Sequence, residues 1–567
     1  MSEKVEITST SPERRESTRS VDEDEKSTPS TVPLGTEPST VLSGKKLAAV
    51  FVALMLSLFL IMLDQTILAT ALPRIASDFD AFTLQGWVAT SYMAQSVFLL
   101  FYGQVLRIFP AKWVLVCAIT TFEIGSLLCG VSQNIGQLIA GRVVAGVGAA
   151  GIMVSMMQVI TQATRLEDRP KFYGAFGALF AISSVVGPPI GGAFSDNVTW
   201  RWCFWINLPL GGVSICGVFL LLRAAPPLGS DPAQRCARAR FHQALRLDFV
   251  GATLAAGALI SLILALQWGG NTKSWGDKDV IISFVFSAVL TLVFVGWSRH
   301  LGDKAMMPTA IFKSRSIYAI LIFCFLNRFS MFIFTYYIPL FYQAARAHSA
   351  TKSGVDFLPF MIGVVITAAF AGGIVAKTGY YWPVLLVAPC FLATGSGLFY
   401  TINANTSSAT LVGFQIIAAV GLGLGFQNAA LALQVEFNDD KKLLAQAIAM
   451  GAFAQQLGGT VGLGVAEPIF ASQLAKNLRK FAPDAPASIV EQTPTAIYSA
   501  IPKELIPGVV LSYTDAIRTL FLAGVPIAGM GLIAVLFIKN IRIRKTAEGI
   551  VRADAMGGKE SARETEV

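Results

Sequence analysis

Runs of roughly 20 apolar residues, repeated about fourteen times between residues 47 and 538, constrain this chain more than any other feature. A helix of that length matches the hydrocarbon thickness of a bilayer. Of the 567 residues, 54% are hydrophobic and only 14% are charged, and the mean hydropathy is +0.60. This composition excludes a soluble protein of this size and predicts an all-α polytopic membrane protein with about 14 transmembrane helices.

The distribution of Lys and Arg predicts how the chain is oriented. An even number of spans places both termini on one side of the membrane. The odd-to-even connections carry few basic residues, whereas the opposite side carries clusters from Arg235 to Arg246 and from Arg299 to Arg315. Basic loops stay inside, so both termini are predicted to be cytoplasmic. These loops supply most of the net charge of +9, which therefore calls for no nucleic-acid partner.

The spans are arranged as six, two and six. We predict a disordered cytoplasmic tail at 1–44 and a cytoplasmic C-terminal tail at 542–567. Three membrane segments lie between them. The segments are a six-helix bundle at 45–223, basic loops with two linker helices at 224–315, and a six-helix bundle at 316–541 with a long outward loop at 471–512. Apolar-periodic stretches of this loop, such as "SQLAKNLRKF" and "PTAIYSAIPKELI", predict an amphipathic helix that lies on the membrane surface. The stretch "SSVVGPPIGGA" (183–193) faintly matches "QQLGGTVGLGV" (455–465), which indicates a repeat, although Gly-rich helices resemble one another in general.

Asp64 and Arg142 are ionisable groups inside apolar runs. Counted from the outer ends of their predicted helices, they lie roughly 13 Å and 8 Å deep, so they can interact if the helices are neighbours. A carboxylate whose charge an Arg compensates is a candidate proton-binding site, because protonation changes the charge of the pair. A purely structural ion pair, or an Arg that reaches the outer headgroups, remains the alternative.

The run "GPPIGG" (187–192) predicts a kinked helix in close contact with a neighbour. Pro188 and Pro189 lack backbone donors, and glycines remove the side chains that would hold helices apart. Such a helix can act as a seal or hinge between two states, or be kinked for structural reasons alone.

A second set of polar and aromatic side chains within predicted spans could line a large amphipathic cavity. Arg328 stays protonated, so it must face water, a carboxylate or an anionic ligand group. Aromatic stripes in membrane helices also serve packing alone. The candidate cavity residues are Glu123, Arg328, Tyr336, Tyr337, Gln427, Asn428 and Gln455.

Other functional classes lack their sequence signatures. There is no phosphate-binding G-x-x-x-x-G-K-[ST] loop, no H-E-x-x-H zinc motif and no filter-like re-entrant segment. The seven Cys are scattered without metal-ligand spacing. We therefore expect no cofactor, no metal and no enzymatic activity. The sequons at Asn197 and Asn405 lie within a few residues of a span, where glycosylation is not expected.

Several ordered motifs over residues 45–545 resemble the major facilitator superfamily, and specifically its fourteen-span drug:proton antiporter branch with the toxin and multidrug efflux pumps of filamentous fungi. The matching stretches are "LDQTILATALP" (63–73), "RVVAGVGAAG" (142–151), "GPPIGG" (187–192), "WRWCFWINLPLGG" (200–212), "ALQWGG" (265–270), "GDKAMMP" (302–308) and "YYIPLFYQ" (336–343).

The resemblance implies a major facilitator fold of two six-helix bundles plus two linker helices. It also implies proton coupling at Asp64 and Arg142, and an antiporter motif formed by Gly187, Pro188, Gly191 and Gly192. The stretch "GQVLRIFPAK" (103–112) departs from the gating motif of the superfamily, because Arg107 stands where an Asp is usual and Pro110 where a Gly is usual. This departure puts the usual charge relay of the gate in doubt. Arg328 stands where relatives tend to have small or apolar residues.

The resulting expectation is a proton-coupled efflux transporter for amphipathic small molecules, such as fungal secondary metabolites, toxins or drugs. Its partners would be the small-molecule substrate and the lipid bilayer of the plasma membrane, or of the vacuole as the alternative, and we expect a monomer. The rival functions are a proton-coupled importer or vacuolar exchanger of siderophores or basic amino acids, and a non-transporting membrane sensor.

Overall fold

The computed structural model describes residues 44–79, 88, 94–164, 169–227, 243, 247–269, 273–348, 350–437, 442–486, 490 and 497–543. Every regular element within these ranges is a helix. The predicted tails lie outside the described residues, apart from residue 44 and residues 542 and 543.

The N-terminal half contains seven described helices. They are α1 (Gly44–Asp78), α2 (Ala94–Ile108), α3 (Ala111–Gly130), α4 (Ile135–Ala163), α5 (Arg169–Asn197), and the consecutive α6 (Trp202–Trp205) and α7 (Asn207–Leu221). We call the side of the membrane layer where α1 begins the near side, and the opposite side the far side. The stretch of α4 that is most apolar is 78% buried, so α4 lies at the centre of this half.

The described residues of the segment between the halves form two long helices and two short 3₁₀ turns. The helices are α8 (Phe249–Trp268) and α9 (Lys278–Leu301), and the turns cover Gly302–Lys304 and Thr309–Lys313. Only 22% of the apolar stretch of α9 is buried, compared with 33% for α8. Both helices are therefore peripheral, with most of their apolar surface available to lipid.

The C-terminal half follows the same order. Its described helices are α10 (Arg315–Arg346), α11 (Ala350–Thr378), α12 (Trp382–Tyr400), α13 (Ser408–Phe426), α14 (Asn428–Glu436), α15 (Leu444–Phe481), α16 (Ile497–Ala500), α17 (Ile506–Leu522) and α18 (Gly524–Leu536). Helix α15 continues through residue 481, so the first part of the outward loop 471–512 is helical, as a continuation of a membrane helix and not as a separate amphipathic helix.

The two halves repeat one pattern of packing. In the first half α1 packs on α5 and α3 on α4, and in the second half α10 packs on α15 and α12 on α13. The halves meet through α2 with α15 and through α5 with α11, again as equivalent pairs. The helices α5 and α15, which carry the faintly similar stretches 183–193 and 455–465, thus occupy equivalent places in a parallel repeat.

Eleven helical stretches among the described residues are long and apolar enough to cross a membrane. The helices α2, α5 and α15 are outside that set; α2 is the shorter apolar helix, and α5 and α15 are rich in Gly, Ser and other small or polar residues. Small residues suit these helices because they form the interface between the halves, where backbones approach closely. The predicted all-α polytopic membrane fold is confirmed.

Candidate functional site

Asp64 and Arg142 form an ion pair inside the N-terminal half. Arg142 Nη1 donates to Asp64 Oδ2 over 2.6 Å, and the two side chains are only 2% and 1% accessible. Asp64 comes from the middle of α1 and Arg142 from the second turn of α4. A pair this deeply buried is stable only while both charges are present, because either charge alone would be unbalanced in a medium of low dielectric constant.

The second carboxylate oxygen of Asp64, Oδ1, faces α7. Asn207, fully buried at the start of α7, donates from Nδ2 to Asp64 Oδ1 at 3.4 Å and to Ser126 Oγ of α3 at 3.2 Å. The charge pair is therefore the centre of a polar cluster built from α1, α3, α4 and α7. Asn207 and Ser126 were not among the residues that the sequence singled out, although an amide within an apolar run is a signal that could have identified Asn207.

The motif helix α5 packs directly on α1 beside Asp64. Thr66, two residues after Asp64, donates from Oγ1 to the carbonyl of Ser183 at 2.9 Å. A Cβ on Gly187 would lie 2.7 Å from Cβ of Thr66, so a glycine is needed for this close approach. The contact joins the predicted antiporter motif to the helix that carries the carboxylate.

The remaining motif residues continue the same helix. Gly191 is buried, whereas Gly192 is half-buried and has open space around it. The side chain of Pro188 is outside the described part of the structure, and α5 runs through the motif from Arg169 to Asn197.

Glu123 lies in the N-terminal half, apart from the other residues that we expected in a cavity. Its carboxyl group packs against Gly211 of α7, where a Cβ would overlap it. Ser126, one helical turn further along α3, contacts Asn207, which also contacts Asp64. The structure therefore places Glu123 with the charge pair.

Arg328 is a cation inside the C-terminal half. Its guanidinium lies over the rings of Phe332 at 5.5 Å and Phe426 at 5.0 Å, and Nη1 contacts Met331 Sδ at 3.5 Å. Within the described residues, no carboxylate pairs with it. Two cation–π contacts offset only part of the cost of desolvating the guanidinium, so the group is suited to an external anionic partner.

The other predicted cavity residues are spread over the C-terminal half. Gln455 of α15 points at Cys324 Sγ of α10 at 3.9 Å, one helical turn from Arg328. Asn428, the first residue of α14, donates to the carbonyl of Leu424 in α13, and Gln427 lies at the junction of α13 and α14. Tyr337 is buried against Phe470, whereas Tyr336 is 56% exposed. Arg328, Phe426 and Gln455 thus come together from three helices.

On the near side, a hydrogen-bonded cluster joins both halves to the linker. We call Gln104, Arg107, Asp248 and Gln446, with the backbone of 303–306, the near-side closure. Arg107 Nη1 donates to the carbonyl of Asp303 and to Gln446 Oε1, both at 2.9 Å. Gln104 donates to the carbonyl of Lys304 at 2.6 Å.

The other contacts of the near-side closure bind the linker backbone at 305 and 306 to Gln446 of α15 and to Asp248 at the start of α8. Gln446 Nε2 donates to the carbonyls of Ala305 and Met306 at 3.2 and 3.4 Å. The carboxylate of Asp248 accepts from the amides of Gly251 and Met306 and from Trp297 Nε1. Arg107, whose presence departs from the expected gating motif, is therefore used here to bind the second half and the linker. Gln446 and Asp248 were not predicted.

The two sequons lie in different settings. Asn197 is exposed at the end of α5 and donates to the carbonyl of Ala193 at 3.1 Å, while Asn405 is exposed in the connection between α12 and α13.

Known proteins share this sequence over most of its length. The MFS-type transporter astH of Aspergillus oryzae is 37% identical over 504 residues, which cover 88% of each chain. The MFS-type efflux pump MFS1 of Trichophyton rubrum is 36% identical over 496 residues, covering 87% of this chain and 91% of the relative. The efflux pump roqT of Penicillium rubens is also 36% identical, with coverage of 87% and 90%.

The fold is shared with solved membrane transporters. The match to the human organic anion transporter MFSD10 (TETRAN) covers 88% of this chain and 100% of that transporter, with a TM-score of 0.52. The sequence identity is 13%, so the match shows a shared fold only. The family model of the Major Facilitator Superfamily matches residues 54–463. This multi-pass membrane protein therefore belongs to the major facilitator superfamily, a family of transporters.

Proposed function

We propose that this protein is a proton-driven exporter of amphipathic small molecules, such as fungal secondary metabolites or drugs, and that its near side faces the cytoplasm. The observation that carries the proposal is the buried pair of Asp64 and Arg142 at 2.6 Å. The positive charges of the predicted cytoplasmic loops support the orientation. We assign it to the plasma membrane.

The charge pair supplies a switch that responds to a proton. When Asp64 binds a proton from the far side, Arg142 loses its counter-charge inside the protein. Removing one partner of a buried pair typically costs about 3–5 kcal/mol. Protonation therefore favours an arrangement in which α1 and α4 separate or Arg142 reaches water, and deprotonation restores the pair.

The driving force is sufficient for useful export. One elementary charge that crosses a potential of 100 mV releases about 2.3 kcal/mol. At about 1.4 kcal/mol per factor of ten, this energy supports a roughly fifty-fold concentration ratio of a neutral substrate for each proton.

The near-side closure supports the release of substrate to the far side. In the described arrangement, Arg107 and Gln446 bind the two halves together on the near side. Separation of these contacts would admit substrate from the cytoplasm, and their return would commit it to the far side. The names of relatives such as the Aspyridones efflux protein, 35% identical to this chain, support export over import.

Arg328 supports a preference for substrates that carry an anionic group. It has no paired carboxylate in the described part of the chain, and aromatic rings surround it. An amphipathic molecule with a carboxylate, phenolate or sulfonate could pair with the guanidinium and place apolar groups on the rings.

The test is the accumulation of fluorescent neutral, cationic and anionic compounds in cells that express the protein, with and without a protonophore. The proposal predicts lower accumulation that the protonophore reverses, relative to cells without the protein. The variant Asp279→Asn, which changes an exposed carboxylate in the first turn of α9, is expected to behave like the wild type. Higher accumulation would indicate import, and efflux that the protonophore leaves unchanged would contradict proton coupling.

A further inference from the structure

Glu123 has a buried carboxyl group without a hydrogen-bond partner. Both of its oxygens are shielded from solvent, and neither has a partner among the described residues. The rest of the side chain is half-buried. Next to it on α3, Ile124 and Leu127 are 50% and 45% exposed, so the accessible surface around Glu123 faces hydrocarbon.

The local packing provides room for this carboxyl group. Gly211 of α7 lies directly against it, and any larger residue at 211 would collide with the carboxyl oxygens. One helical turn further along each helix, Ser126 of α3 and Asn207 of α7 are in contact, and Asn207 also reaches Asp64. Oδ1 of Asn207 is a further buried acceptor without a donor among the described residues. The seam between α3 and α7 therefore holds acceptors in excess of donors.

The neighbouring helices bring few charges to this seam. Arg142 is the only ionisable side chain of α4, and it is already paired with Asp64 of α1. The short helices α6 and α7 carry no charged residue, only the thiols of Cys203 and Cys216. Further ionisable groups lie on α2 and α3 and just before α6. Arg107 of α2 belongs to the near-side closure, Lys112 of α3 donates to the carbonyl of Phe219, and Arg201 donates to the carbonyls of Gly130 and Ser132. The others are the Tyr102 hydroxyl of α2 and the thiols of Cys117 and Cys129 on α3.

An ionised Glu123 would be unfavourable in this setting. A buried carboxylate without hydrogen-bond donors carries a large desolvation cost. Asp64 is joined to this seam through Asn207, and its negative charge would repel a second negative charge there. A neutral carboxylic acid avoids both costs, and its O–H group adds a donor to a seam that lacks donors.

We propose that Glu123 is a second proton-binding group of the coupling site, which holds a proton while Asp64 is ionised. This inference rests on the proposed proton-coupled function. In the transfer, the O–H bond on Glu123 breaks and an O–H bond forms on Asp64, directly or through a water molecule. Arg142 then balances a carboxylate at Glu123 in place of the one at Asp64. When a proton from the far side binds to Glu123 in turn, both carboxyl groups are neutral and Arg142 has lost its counter-charge.

Infrared difference spectroscopy of the purified full chain in lipid tests the proton directly, without any transport. At neutral pH, subtracting the spectrum of Glu123→Gln from that of the wild type should leave the carbonyl stretch of one protonated carboxylic acid. The matched control is Asp515→Asn, since Asp515 is an ionised partner of Arg518 at 3.1 Å and its removal should leave no such band. Absence of the band for Glu123 would overturn the proposal.

Coupling to Asp64 is tested by titrating the same band in Asp64→Asn. That variant removes the nearby negative charge and frees Arg142, so the Glu123 band should disappear at least about one pH unit lower than in the wild type, a ten-fold change in proton affinity. This comparison remains valid if Glu123→Gln does not fold. Equal titration in both proteins would refute the coupling.

Transport separates this inference from the proposed function. In liposomes, Glu123→Gln is expected to reduce proton-driven export at least ten-fold while substrate exchange without a proton gradient continues. Undiminished proton-driven export in Glu123→Gln would overturn the role of Glu123 and leave the proposed function intact. Export that ignores the proton gradient in the wild type would instead refute the proposed function, and the infrared band would still report the proton on Glu123.

Discussion

Arg107 Nη1 donates to Gln446 Oε1 over 2.9 Å and thereby joins α2 of the first half to α15 of the second, across 339 residues of sequence. The same guanidinium binds the carbonyl of Asp303, and the same glutamine binds the carbonyls of Ala305 and Met306. The linker segment is therefore held between the two halves on the near side by Arg107, the residue whose departure from the gating motif put the usual charge relay in doubt.

Gln446→Ala should loosen the near-side closure. The substitution removes three hydrogen bonds, each with a net value of about 1 kcal/mol. We expect hydrogen exchange of the backbone amides in 302–308 to accelerate about ten-fold or more, measured by mass spectrometry on the protein in lipid nanodiscs.

The matched control for Gln446→Ala is Gln415→Ala. Gln415 is another buried glutamine of the C-terminal half, bonded to Tyr342 and to the backbone of α11 away from the linker. It should leave exchange in 302–308 unchanged. Equal exchange in the wild type and Gln446→Ala would show that this glutamine does not hold the linker.

Asp248→Ala should destabilise the protein more than a typical surface substitution. The buried carboxylate of Asp248 accepts three hydrogen bonds, including one from the amide of Met306, which becomes an unsatisfied donor in the variant. Leaving buried donors without partners costs about 1–3 kcal/mol each. A fall of several degrees in the thermal midpoint in detergent is expected, and Asp248→Asn should fall by less. A midpoint equal to that of the wild type would contradict this account.

Arg328→Gln should change selectivity and preserve the fold. Arg328 has cation–π contacts and no paired carboxylate among the described residues, so its removal leaves no buried negative charge behind. The export rate of anionic compounds should fall at least ten-fold, while neutral compounds of similar size should change by less than about three-fold; a lost charge-assisted hydrogen bond accounts for a difference of this size. Parallel losses for neutral and anionic compounds would rule out a role in charge recognition.

The sequence predicted the membrane helices and the charge pair because both depend on local rules. A carboxylate and an arginine inside apolar runs must find partners, and their depths matched. The partners of Gln446 and Asp248 were not predictable in this way, since hydrogen bonds between segments far apart in sequence depend on how whole helices dock. Glu123 shows the same limit: its depth was readable from the sequence, but the rotation of α3 that turns it toward Gly211 was not. The apolar periodicity of "SQLAKNLRKF" predicted a helix, but not that this helix continues α15 without a break through residue 481.

The most direct test of the account is substrate-induced proton movement in liposomes that contain purified Asp64→Asn. A pH dye inside the vesicles reports proton flux when a compound with protonophore-sensitive efflux in cells is added. Wild type and Asp279→Asn should both respond, whereas Asp64→Asn should fold with an unchanged spectrum and show no flux above empty vesicles, because its side chain cannot bind a proton or pair with Arg142 as an anion. A proton flux in Asp64→Asn equal to that of the wild type would contradict the central claim that this carboxylate couples protons to transport.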